Sequence, residues 1–168
     1  GSLYKVELAP KENEYLLWDK PLSEQPKGVR EKAKNSLLKT EDESGFDFTY
    51  GRPSDRVGTG EEVYRGLAGL NRSNNPNAAA SAALKEAGIP GIKYLDGNSR
   101  NASYDVVFSN GERLSYATKV EAEKALEGIK EFGGSGVVES NAFYNYVIFD
   151  EADVTVTEKL FMPASEAG

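Results

Sequence analysis

Leu3-Tyr-Lys-Val-Glu-Leu8 alternates apolar and polar residues at period two, the pattern of a half-buried strand, and Pro10 ends it. The apolar cluster Tyr15-Leu-Leu-Trp18 follows an acidic connector. Val29, Ala33 and Leu37 recur every four residues, so with Ser23 as cap a helix is predicted over Glu24 to Lys39. Pro26 falls in its first turn, where a missing donor costs nothing. From Thr40 to Gly58 the chain is polar and punctuated by Gly and Pro, a long loop with room for one short strand around Phe46, Phe48 and Tyr50. Thr59-Gly-Glu-Glu62 has capping-box spacing, and Val63, Tyr64, Leu67 and Leu70 mark one face of a second helix. An Ala-rich helix is expected over Ala78 to Ala87, with Gly88 in the left-handed position past its end and Pro90 beyond. Gly91 to Leu95 then reads as a strand, which leaves Asp96-Gly-Asn-Ser-Arg100 on the loop at its end.

Tyr104-Asp-Val-Val-Phe108 and Arg113-Leu-Ser-Tyr116 flank Asn110-Gly111, the strongest short hairpin signal. Thr118 and Glu121 form a second capping box, opening a helix with Val120, Ala122, Ala125, Leu126 and Ile129 inward. Gly133 to Gly136 closes this unit, and Val137-Val138, Tyr144 to Phe149 and Val154 to Thr157 read as further strands. Short helices and strands without regular alternation predict an α+β fold with a mixed or antiparallel sheet. The expected organisation is one domain over residues 3–161, with 103–132 as an inserted hairpin-plus-helix unit. Gly1 and Ser2 read as a cloning scar and 162–168 as a fraying tail.

Twenty Lys and Arg stand against 27 Asp and Glu, a formal charge of -7, which opposes bulk binding to nucleic acid or to an anionic membrane surface. The longest apolar runs fall short of the roughly 20 residues of a membrane span. The chain has no Cys and no His, which excludes Ser-His-Asp and Cys-His catalysis and thiolate metal sites, and no metal is expected. Carboxylates, Ser/Thr, Tyr, Lys and Arg remain, a set suited to electrostatic stabilisation.

The glycines at 51–53 and 58–60 lack phosphate-loop spacing, and Glu41-Asp-Glu43 lacks a cation-loop pattern and reads as a solvated loop. In Asp96-Gly-Asn-Ser-Arg100 a glycine permits close approach and a hydroxyl and a guanidinium follow, so Arg100 is either a clamp for pyrophosphate or carboxylate or part of an ordinary strand-end turn. Asp150-Glu-Ala-Asp153 sets three carboxylates between two strands, either a hydrophilic turn or a catalytic group.

Leu3 to Leu8, Leu17-Trp-Asp-Lys-Pro-Leu-Ser-Glu-Gln25, Thr59-Gly-Glu-Glu-Val-Tyr64, Ala87-Gly-Ile-Pro-Gly-Ile-Lys-Tyr-Leu-Asp-Gly-Asn-Ser-Arg100 and Asn145-Tyr-Val-Ile-Phe-Asp150 occur in one order. Together they resemble the ADP-ribosyltransferase-like domain of large polyvalent, head-morphogenesis-associated proteins of bacteriophages and other mobile elements. The resemblance spans the chain except about residues 101–140. It implies NAD as substrate, a macromolecular acceptor in the host (protein or nucleic acid), and a cytoplasmic or phage-delivered setting. It implies Asp153 as the carboxylate beside the reacting ribose, with Glu151 and Asp150 as neighbours, and Ser99, Arg100, Tyr94 and Gly97 placing the dinucleotide. The family's earlier motifs, a strand carrying Arg or His and a segment before a Tyr-bearing helix, have no counterpart ahead of Leu3. The alternative is a non-catalytic module on the same scaffold, presenting residues 103–132 to a protein partner.

Overall fold

A computed structural model of the chain describes residues 2–97 and 103–161. In order run β1 (Ser2–Leu8), β2 (Leu16–Leu17), α1 (Lys27–Ser44), α2 (Gly60–Leu70), α3 (Pro76–Glu86), β3 (Gly91–Leu95), β4 (Tyr104–Phe108), β5 (Arg113–Tyr116), α4 (Lys119–Glu131), β6 (Gly136–Ser140), β7 (Tyr144–Ile148) and β8 (Val154–Phe161). The class is α+β with mixed and antiparallel sheets. Packing divides the chain into two units, Gly1–Lys93 with Tyr146–Gly168, and Tyr94–Asn145. Among the described residues no helix is long and apolar enough to cross a membrane.

In the first unit, α1, α2 and α3 bury Val29, Leu37, Val63, Leu67 and Leu84 against Leu16 and Ile92 of the sheet ordered β2-β3-β7. β2 and β3 are parallel, Leu16 facing Ile92. Where β7 runs beside β3 the backbones approach so closely that a Cβ on Gly91 would collide with the Val147 carbonyl, so glycine is required there. Among the described residues the other edge of β2 has no strand. The buried Gln25 amide takes its place, accepting from Leu17 N at 2.8 Å and donating to Leu17 O at 2.6 Å and Lys20 O at 3.0 Å.

Several expectations for this unit are corrected. Ser23 does not cap α1: it lies in a separate 3-10 turn, Leu22–Glu24, and Pro26 stands at the cap, so the helix starts at Lys27. At its other end α1 continues to Ser44 and stops at Gly45 in the left-handed conformation (φ 70°). The extension exists because Glu41 is not solvated. It is buried, accepting from Ser54 N at 2.6 Å, Ser54 Oγ at 2.9 Å and Arg52 Nη1 at 3.5 Å, and so ties the following loop to the helix. No strand forms around Phe46 to Tyr50, and the loop's regular element is a 3-10 turn, Pro53–Asp55. A further correction concerns β1. It pairs antiparallel with β8, from Ser2 opposite Phe161 to Leu8 opposite Val154, but Leu3, Tyr4 and Val6 are exposed rather than half-buried.

The second unit is a sheet ordered β5-β4-β6, antiparallel throughout, with α4 across one face. The capping box forms as expected: Thr118 Oγ1 accepts from Glu121 N and Glu121 accepts from Thr118 N, both at 3.2 Å. Ala122 and Val106 are buried between helix and sheet, whereas Val120, expected inward, stands exposed on the first turn. Asp105 is buried on the sheet, accepting from Ser115 Oγ at 2.7 Å and Arg113 Nη1 at 3.3 Å. The Ser115 hydroxyl above all, against the cost of burial and helped by Arg113, holds its carboxyl below the usual carboxylate range.

Candidate functional site

The first unit gathers chemistry-bearing side chains at the margin of its sheet. Glu12, in a 3-10 turn ahead of β2, accepts from Lys93 Nζ of β3 at 3.0 Å and from Tyr146 Oη of β7 at 3.0 and 3.1 Å. Burial alone would raise its carboxyl pKa. The hydrogen bonds from Lys93 and Tyr146 outweigh that and hold it low. Tyr15 packs edge-on against the Tyr146 ring, centroids 5.1 Å apart, and is 1% exposed. Its hydroxyl is buried and makes no hydrogen bond to the described residues. Burial raises the Tyr15 pKa first, and the negative charges of Glu12, Asp153 and Glu14 add to the shift.

Of this cluster, Asp153 therefore bears electrostatically on Tyr15. It ends the 3-10 turn Glu151–Asp153 that leads into β8, and its backbone is pinned on both sides, its N–H donating to Asp150 O at 3.0 Å and its carbonyl accepting from Ala9 N at 2.8 Å. Asp150 is committed to structure. It caps the turn by accepting from Ala152 N at 3.0 Å and pairs with Lys85 at 3.2 Å, and the Ala152 amide, then Lys85, holds its pKa low. Glu151, the first residue of the turn, is exposed.

The dinucleotide-placing candidates fall differently. Ser99 and Arg100 lie outside the described residues. Tyr94, half-buried in β3, and Gly97 belong to the second unit, where Asp96 accepts from Asn145 Nδ2 at 3.2 Å. No atom lies within 4 Å of where a Cβ on Gly97 would stand, so the described chain does not itself require glycine there.

Sequence reasoning missed Glu12, Tyr15, Lys93 and Tyr146 as a group. Glu12 is 81 residues from Lys93 and 134 from Tyr146, and only the sheet brings them together. Lys93 and Tyr146 sit within the segments Gly91–Leu95 and Asn145–Asp150 that carry the resemblance, so the signal was the composition of those strands. A groove of about 580 Å³ between α1 and α3 is lined by several alanines, and three of its charges satisfy one another, Lys39 lying 2.7 Å from Glu86 and 4.0 Å from Glu43, while Lys32 donates to Gly88 O at 3.4 Å. It offers a ligand no unpaired charge from that trio. No family model, curated protein or solved structure matches this chain.

Proposed function

We propose that the first unit is an NAD-dependent ADP-ribosyltransferase-like domain in which Asp153 stabilises the reacting ribose and a macromolecule of the host accepts ADP-ribose. The observation that carries this reading is where the resembling segments meet. β2, β3 and β7 hold parts of three of them as neighbours in one sheet, and Asp153, in the turn that follows β7, adds its negative charge to the surroundings of the buried Tyr15. The donor set suits a ribose, whose hydroxyls both donate and accept, better than a pyrophosphate. The cation of the cluster, Lys93, is already engaged by Glu12.

The chemistry needs no histidine. The bond from ribose C1′ to the nicotinamide nitrogen breaks with both electrons going to nitrogen, so nicotinamide leaves neutral without being protonated. C1′ takes on positive charge, an acceptor nucleophile bonds to it, and the nucleophile's proton passes to solvent. A fixed carboxylate beside C1′ contributes where that charge develops, because its interaction strengthens from ground state to transition state.

The test is nicotinamide release by wild type and Asp153→Asn, beside their melting temperatures. The variant should lose about a hundredfold to a thousandfold in turnover, as removal of one preorganised stabilising group does, with an unchanged fold. NAD at a hundred times its Kd should stabilise both proteins by about 2.7 kcal/mol. A wild type that releases no nicotinamide above buffer refutes the enzymatic reading, and a variant as active as wild type refutes the role of Asp153.

A further inference from the structure

Among the described residues β1 is an edge strand with an apolar face left largely exposed. β1 and β8 contact each other far more than they contact any other element, and among the described residues they form a sheet of two strands. Two-stranded ribbons are marginal in water, and an unpaired edge carries a row of free N–H and C=O groups. Here the edge also exposes Leu3 (55%), Tyr4 (52%) and Val6 (44%). The sheet alternation puts Tyr4, Val6 and Leu8 on one face beside Val156 and Val154 of β8, with Lys159 over the Tyr4 ring, and Leu3, Lys5 and Glu7 on the other. The ribbon's irregularity falls in β8, where Thr157 is skipped between Glu158 opposite Lys5 and Val156 opposite Val6, so β1 itself stays regular.

We propose that this edge of β1 pairs antiparallel with β1 of a second copy, about a twofold axis through Val6, giving a four-stranded sheet. The strand is self-complementary in that register. Val6 meets Val6, each Tyr4 meets the second copy's Leu8, and each Lys5 meets the second copy's Glu7, so the apolar faces join and two opposite-charge pairs form. Centring on Lys5 would set lysine against lysine, and centring on Glu7 glutamate against glutamate. A slip by one residue would set the apolar face of one copy against the charged face of the other. The alternating charges of Lys5 and Glu7 thus select one register and one partner, a copy of the same strand.

Sedimentation velocity across a concentration series tests this. Wild type should dimerise, and amide exchange within Leu3–Leu8 should slow as concentration rises. Glu7→Lys places lysine opposite Lys5 twice in the dimer but faces only Thr155 in its own ribbon. The variant should raise the dimer Kd by roughly tenfold to a hundredfold with an unchanged melting temperature of the monomer. Adding Lys5→Glu recreates the pairs with signs exchanged, and adding Glu158→Lys keeps the ribbon's own pair, so the triple variant should recover the dimer. A wild type that stays monomeric into the high-micromolar range overturns the proposal. So does a dimer that ignores Glu7→Lys, that is not recovered by the triple variant, or that leaves β1 exchange unchanged.

Discussion

Asp105 shows how a single side chain can tie a small sheet to pH. Ser103, Arg113 and Ser115 all donate to its carboxylate, so protonation removes their acceptor. Its folded pKa lies below the unfolded value of about 3.9. Its contribution to stability is therefore fully present above that value and is lost as pH falls through the folded pKa. Asp105→Asn should remove this part of the acid transition, leaving the variant less stable than wild type at neutral pH and nearly level with it at the lowest pH. The amide signals of β4, β5 and β6, followed on acidification, report it, and parallel acid curves for the two proteins would contradict it. Such a residue is hard to read from sequence. Asp105 interrupts an apolar run, and its partners become visible only once the hairpin register sets it opposite Ser115.

At the scale of elements, most local signals held, though Ser23 did not cap α1, and tertiary ones did not. Asn110-Gly111, the Thr118 box and Gly88 each act within a few residues, and the hairpin, α4 and the end of α3 formed where those signals lie. The two-residue β2 and the last turn of α1 depend on partners far along the chain, Ile92 for one and Ser54 for the other, so nothing nearby announced them. The candidate site divides the same way. The Asp150 turn was legible as a cluster of carboxylates, and the Glu12–Lys93–Tyr146 network was not. Glu41 carries the prediction here, since it joins α1 to the loop after it. Glu41→Ala leaves the Ser54 N–H without its acceptor and opens a buried space, costing about 2–4 kcal/mol, and Glu41→Gln, which keeps an acceptor, should cost less. Urea unfolding followed by Trp18 fluorescence measures both, because Trp18 packs on the core of the same unit. Equal losses for the two variants would show that the acceptor is not what matters.

On the scale of the whole molecule, the chain leaves the first unit along β3 and returns along β7, and just beyond them Asp96 N donates to Phe143 O at 2.9 Å. Replacing residues 97–142 by a tight Gly-containing turn should therefore close the gap and leave the first unit folded, because its core draws on residues up to Ile92 and on Phe149. A cooperative melt with Trp18 still shielded is the expected result, and a molten product would mean that the first unit depends on the second. The β1–β8 ribbon bears on time as well as on shape. Lys5 and Thr157 meet across 152 positions of sequence, whereas every pairing of β4, β5 and β6 is made within the second unit. Loop closure makes the distant pairing late and the local one early. On a ribosome adding 5–20 residues per second, the strand synthesised first waits on the order of ten seconds for β8 to exist. Through that interval its alternating apolar residues face whatever else is nearby, including the same strand on a neighbouring nascent chain.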